Sequence, residues 1–327
     1  MGNSNMSSEE NQDMLESDFS NGLILLNIIF PEEVISNILT FVSWEDLRSC
    51  RFVCQSWKRL IDSTVSFEKM KMNMNYKSYF SGSTKKLNSQ SLPFYVYYGI
   101  GKNAFGKNHL KNTFGSGEIL HVCESPRRRS WSDGGQDTQI CSDANCPRYK
   151  HWEIVSSRGD GWAVEATPIG SQPLPDQLEG RSCFVTSYAK SSKRQIIDLA
   201  KCGLNSKIMD EIRPHIEVSE WYAGRFDCGI IYKLTVSLLD ANKEVLDQHS
   251  QEIIENHGDD DWHQILHTFK NYGPGVRFIL FRHGGRDTQY WAGHYGSKMA
   301  GGSVIARIPE EFLQMADDPS QALNSTE

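Results

Sequence analysis

Between Leu23 and about Met70 the apolar positions recur with the spacing of a helix. Val34, Ile35, Ile38, Leu39 and Val42 fall at i, i+1, i+4, i+5 and i+8, one face of a helix that opens at Pro31 with Glu32 and Glu33 in its first turn. A second start follows at Ser43, with Asp46 three residues on in a capping-box-like pattern, and Leu47, Cys50, Val53, Cys54, Trp57 and Leu60 continue the apolar stripe. This predicts about three short helices in roughly 45 residues, too small a unit to bury a core well by itself.

From His151 the pattern changes. Short β-rich runs alternate with turns: HWEIV, GWAVEA, SCFVTSYA, RQIIDLA, HIEVSEWYA, CGIIYKLTVSLLD, WHQILHTF, VRFILFRH and SVIARI. Turn signals such as Gly159-Asp160-Gly161 and Gly273-Pro274-Gly275 separate them. About nine or ten short strands at this spacing predict an all-β sandwich, with KCGLNSKIMDEIRP as a helical turn inside it. The expected architecture is therefore multidomain, α followed by all-β.

The remaining segments are polar. Residues 1–22 lack apolar periodicity and are expected to be disordered. Residues 23–70 form the helical unit, 71–117 a linker and the approach to the β region, 118–150 an exposed insertion, 151–308 the sandwich and 309–327 a flexible tail. The longest apolar run, Leu23 to Phe30, is interrupted by Asn27 and is far short of the ~20 residues a spanning helix needs. A formal net charge of -7 argues against a general nucleic-acid binder, which needs a basic face. The acidic N-terminus has no secretory pattern, and MGNS departs from a myristoylation start at Met6. The eight scattered cysteines then read as reduced thiols in a cytoplasmic protein.

Two aromatic residues stand side by side among glycines in GGRDTQYWAGHYG, Tyr290 and Trp291. Adjacent side chains on a strand point to opposite faces, so two rings on a glycine-flanked loop indicate a binding surface; core packing of Trp291 is the plainer alternative. His263 and His267 sit at i, i+4, but the segment reads as a strand and no third ligand follows at matching spacing, so no metal is expected there. His121, Cys123, Cys141 and Cys146 offer a weak zinc pattern inside the insertion, and Ser130 follows three arginines as in a basophilic kinase site, although a solvated basic loop is the favoured reading. No nucleophile motif or phosphate-binding loop is present in the sequence, and no cofactor is expected.

The helical segment FPEEVISNILTFVSWEDLRSCRFVCQSWKRLIDS resembles an F-box, with Phe30 where Leu is usual and Phe67 where a Trp is usual. The runs WEIVSSRGDGWAVE, FVTSYAKSSKRQIIDL, EWYAGRFDCGIIYKLTVSLLD and NYGPGVRFILFRHGGRDTQYWAGHYG resemble the F-box-associated domain of the sugar-recognising F-box-only proteins. That resemblance implies a small three-helix F-box followed by a jelly-roll β-sandwich of galactose-binding-like type. It implies a non-catalytic substrate receptor of an SCF-type ubiquitin ligase, partnered by a Skp-type adaptor and a cullin scaffold. Pro31, Val34, Ile38, Leu39, Leu47, Val53 and Trp57 would meet the adaptor. Phe226, Asp227, Tyr290 and Trp291 would bind the chitobiose core of high-mannose N-glycans on misfolded glycoproteins delivered for ER-associated degradation. Ala292 departs from the lysine that often follows the Tyr-Trp pair in sugar-binding members, and a lost charge-assisted hydrogen bond costs about 1.5–3 kcal/mol. The alternatives are a ligase receptor for a protein surface without glycan dependence, and a carbohydrate-binding domain of an enzyme; the latter lacks a pair of candidate carboxylates on facing segments.

Overall fold

The computed structural model describes residues 23–25, 28–81, 92–115 and 146–310. The expected disordered start, most of the insertion (with His121, Cys123, Ser130 and Cys141) and nearly all of the tail lie outside the described residues. The chain divides into two compact units, Met1–Gly106 with Arg307–Glu327, and Lys107–Ala306.

In the first unit, β1 (Ile24–Leu25) pairs antiparallel with β2 (Ile28–Ile29). Helices follow at α1 (Glu32–Thr40), α2 (Trp44–Cys50), α3 (Gln55–Leu60) and α4 (Ser66–Lys71), the last two joined by a π-helical turn, Ile61–Val65. Pro31 occupies the cap of α1, where its fixed φ and missing N–H cost nothing, and its carbonyl accepts from Val34 and Ile35. At α2 the Ser43 hydroxyl oxygen accepts the Asp46 N–H at 3.1 Å, as the capping pattern predicts. The short Asp46 side chain accepts from the Ser43 hydroxyl at 2.8 Å, where a glutamate would reach back to the cap amide.

The core of this unit is Ile35, Leu39, Leu47, Leu60, Ile61 and Val65, with Phe94 contributed from later in the chain. Phe94 opens α5 (Phe94–Gly101), which lies in a segment expected only to be aromatic-rich. Its sequence, FYVYYGIG, buries Phe94, Val96, Tyr97, Gly99 and Ile100 on all sides. A helix buried all round has no polar face and so no amphipathic period to read. α5 supplies the apolar surface that three short helices lack. Gly101 is required by close approach: a Cβ there would lie 2.2 Å from the Trp44 ring. Arg51 pairs with both oxygens of Asp62 at 2.5 and 2.8 Å and places its guanidinium 4.3 Å from the Phe94 ring centre. β3 (Phe80–Ser81) pairs in parallel with Ile308 and Pro309.

The second unit is a β-sandwich of two antiparallel sheets. Its strands are β4 (Glu153–Ser156), β5 (Trp162–Glu165), β6 (Cys183–Thr186), β7 (Ser191–Asp198), β8 (His215–Ala223), β9 (Ile230–Leu239), β10 (Val245–Glu255), β11 (His263–Phe269), β12 (Phe278–Asp287) and β13 (Lys298–Pro309). One sheet runs β10-β9-β12-β7-β4 and the other β11-β8-β13-β6-β5. Nine of these strands correspond to the nine β-rich runs. β10 does not: VLDQHSQEIIE is an edge strand, exposed along most of its length, yet it pairs with β9 from Val245 to Glu255. A π-helical turn, Ile208–Ile212, sits where the helical turn is predicted.

Alternate residues of β9 (Tyr232, Leu234, Val236 and Leu238) point into the core. The interior also holds polar groups. Glu220 accepts from the Tyr232 hydroxyl and, at 2.7 Å, from His283 Nδ1. Lys298 and Glu165 form a buried pair at 2.5 Å. Lys193 is fully buried against Trp152, Trp162 and Phe184. No helix among the described residues is long and apolar enough to cross a membrane.

Candidate functional site

The helical unit leaves apolar side chains uncovered. α1 exposes Val34 and Ile38, and Phe41 follows one turn on, at i, i+4 and i+7 of one face. The turn between α2 and α3 adds Phe52, 81% exposed, and Val53. Pro31 is exposed and Trp57 is half-buried against the core. Leu39 and Leu47 do not belong to this surface: they are 2% and 0% exposed and form the unit's own core. The correction has a simple cause. An apolar stripe wider than one face includes both packing and solvent-facing positions, and periodicity alone does not separate them. Phe41 and Phe52, absent from the expected set, are the most exposed rings here. Large apolar groups exposed this fully mark a partner surface.

In the sandwich, the β8–β9 connection carries Arg225, Phe226 and Asp227. Phe226 is 64% exposed. Asp227 is gripped by Arg225, whose Nε and Nη2 donate to its two oxygens at 2.9 and 3.1 Å. That pairing holds the Asp227 carboxyl below the usual carboxylate range. It also occupies one lone pair on each oxygen, leaving the others for hydroxyl or amide donors.

The β12–β13 connection carries the aromatic pair. The Asp287 carboxylate accepts the amides of Gln289 (3.0 Å) and Tyr290 (2.5 Å), tying the turn to the end of β12. Burial nevertheless pushes its carboxyl up. Tyr290 adopts φ +60°, a left-handed conformation costly for a bulky residue, and its ring stands in solvent with the Arg286 guanidinium 4.8 Å from its centre. Trp291 is 40% exposed and packs edge-on against Tyr295 at 5.4 Å. Asp160 anchors the loop from another connection by accepting the Gly293 amide at 2.6 Å.

The two loops are joined through groups that the sequence did not single out. The Arg225 guanidinium lies 4.2 Å from the Tyr295 ring centre. Trp291, Tyr295, Arg225 and Asp227 therefore form one chain of contacts, ring on ring on cation on carboxylate. Phe226 is carried on the same backbone turn. This answers the plainer reading of the pair: neither Tyr290 nor Trp291 is core. Two exposed rings flanked by directed polar groups suit a ligand with an apolar face and a polar rim, as a sugar ring has. Ala292 is exposed and adds no hydrogen-bonding group beside Trp291.

The two histidines of β11 go separate ways. His267 stacks on His249 at 3.9 Å, whereas His263 Nε2 meets Asp259 Oδ2 at 2.9 Å. His263 instead gathers with two carboxylates: Glu255, Asp259 and His263 bring one donor atom each within 4.8 Å of one another. The three sit on both sides of a turn, at a spacing a single-helix reading does not anticipate.

Comparison with known proteins places both units. The F-box domain family matches residues 29–69 and the F-box associated region matches residues 100–306. F-box only protein 6 of Rattus norvegicus is 33% identical over 278 residues, covering 84% of this chain and 84% of that protein. F-box only protein 44 of Homo sapiens is 29% identical over 282 residues, covering 85% of this chain and 96% of that protein. F-box only protein 27 of Mus musculus is 40% identical over 157 residues, covering 47% of this chain and 55% of that protein. The chain belongs to the F-box-only proteins that carry an F-box-associated region.

Proposed function

We propose that the chain is the substrate-recognition subunit of an SCF-type ubiquitin ligase, acting in the cytoplasm, and that its sandwich binds the chitobiose core of N-glycans on misfolded glycoproteins. The F-box supplies the adaptor contact through Pro31, Val34, Ile38, Phe41, Phe52 and Val53, with Trp57 beneath. The receptor performs no chemistry of its own; ubiquitin transfer belongs to the other subunits. Phe226, Asp227, Tyr290 and Trp291 hold the glycan.

The observation that carries this reading is the solvent-facing pair Phe226 and Trp291 on two loops locked together through Arg225 and Tyr295. A rigid, preformed aromatic surface binds without first having to order its side chains. Asp227, partly exposed and still able to accept, supplies the directed polar contact.

The test is capture of a high-mannose glycoprotein by the full-length chain, compared with Trp291→Ala. Removal of the stacking ring is expected to cost at least about 2 kcal/mol, roughly a thirtyfold loss of affinity. Trp291 is partly in solvent, so the variant is expected to keep the wild-type melting temperature. Wild-type protein that ignores chitobiose-containing glycans would eliminate the sugar reading. The second reading, a protein surface recognised without glycan, is favoured by Ala292. It predicts capture that survives enzymatic deglycosylation of the substrate.

A further inference from the structure

β10 ends at Glu255 on the edge of one sheet, and β11 begins at His263 on the edge of the other. The connection between them carries Asp259. It folds so that a Glu255 oxygen, an Asp259 oxygen and a His263 nitrogen converge within 4.8 Å. Two carboxylates and an imidazole are a mixed oxygen and nitrogen donor set. Such a set suits a first-row divalent metal, with water completing the coordination.

Tyr222 is the direct cross-strand partner of His263, with its ring 5.5 Å from the imidazole. It is more than nine-tenths buried, so the β11 end of the cluster rests on a packed ring.

We propose that Glu255, Asp259 and His263 form a binding site for one first-row divalent metal ion, with Zn2+ as the best-fitting case, and that the ion braces the loop carrying Phe226. His263 Nε2 and Asp259 Oδ2 share a proton at 2.9 Å. A zinc ion replacing that proton needs the two atoms at roughly 3.3 Å, a few tenths of an ångström apart from where they stand. The bracing follows from close packing. A Cβ on Gly258 would lie 2.0 Å from the Phe226 carbonyl oxygen, so the metal-bearing turn and the Phe226 turn touch backbone to backbone. Gln172 holds the same turn through Asp260 at 2.9 Å. The site stands independently of what the Phe226 loop binds.

The experiment is titration of the full-length chain with Co2+, a spectroscopic substitute for Zn2+ with the same ligand preferences. One bound Co2+ per chain with visible d–d bands and no thiolate charge-transfer band is expected. His263→Ala and Glu255→Gln are each expected to weaken binding about tenfold or more. The Glu255→Gln variant keeps the Asp259–His263 hydrogen bond, so its loss of affinity does not reflect unfolding. Zn2+ is expected to raise the melting temperature of the wild type and to leave that of Glu255→Gln unchanged. Undiminished affinity in both variants, bound cobalt carrying only thiolate bands, or no binding in the millimolar range would overturn the site. None of these readouts involves a glycan, so the metal site and the sugar reading fail separately.

Discussion

Phe52→Asp together with Val53→Asp is expected to abolish capture of a Skp-type adaptor while leaving the helical unit folded. Both side chains stand in solvent in the turn between α2 and α3 and contribute nothing to the core of Ile35, Leu39, Leu47, Leu60, Ile61, Val65 and Phe94. Replacing them changes the free protein little, because surface substitutions away from special features stay within about 0.5 kcal/mol. In the proposed complex, each aspartate would place a carboxylate against an apolar partner face. A desolvated, unpaired charge costs several kcal/mol, so a loss of at least about a hundredfold, roughly 2.8 kcal/mol, is expected. Leu47→Ala is the contrasting case. It removes a fully buried side chain, should cost about 2–5 kcal/mol of stability, and reduces capture only through unfolding. Co-purification and thermal melting together separate the two effects. Undiminished capture by the aspartate pair would remove Phe52 and Val53 from the adaptor surface.

The contrast between Leu47 and Phe52 also shows what the sequence holds and what it lacks. The helices from Pro31 to Met70 and nine of the ten sandwich strands are legible because their apolar residues repeat with the period of their element. The same stripe merges packing residues with docking residues, since a helix too small to hide its apolar face shows one pattern for both. α5 escapes notice for the opposite reason, being apolar all round. β10 escapes because an edge strand needs only backbone partners and carries exposed polar side chains, DQHSQE among them. In the ligand loops, Phe226 and Trp291 are visible as aromatics in odd places. Arg225 and Tyr295, which join them, have no local signature: their pairing depends on how two distant connections converge. Glu255, Asp259 and His263 likewise meet only because the chain crosses between sheet edges.

Lys193→Met is expected to stabilise the sandwich by about 1–4 kcal/mol at neutral pH, the range seen when buried ionic groups give way to apolar ones of similar size. Lys193 is fully buried, and Nζ has no hydrogen-bond partner among the described residues. Two effects compete there. The rings of Phe184, Trp162 and Trp152, 3.1, 4.0 and 5.0 Å from Nζ, favour the ammonium by about 2 kcal/mol, and the charge of Glu220 adds to that. Removing the ammonium from water costs more, several kcal/mol after relaxation. Desolvation therefore wins, and the folded protein holds the Lys193 pKa well below its ordinary value. Glu220 does not depend on that charge, because Tyr232 and His283 already donate to it. The pH dependence follows from the direction of the shift. Between the depressed folded pKa and the ordinary value of about 10.4, the unfolded chain binds the proton that the folded chain releases, so wild-type stability rises with pH across that window. Methionine removes this contribution, and all other titrating groups cancel in the comparison. The advantage of Lys193→Met in urea unfolding should consequently be larger at pH 7 than at pH 9.5. It should narrow by up to about 1.4 kcal/mol for each pH unit inside the window. An advantage that stays constant over that range would show that Lys193 keeps its proton inside the sandwich, and that its aromatic cage outweighs the loss of water.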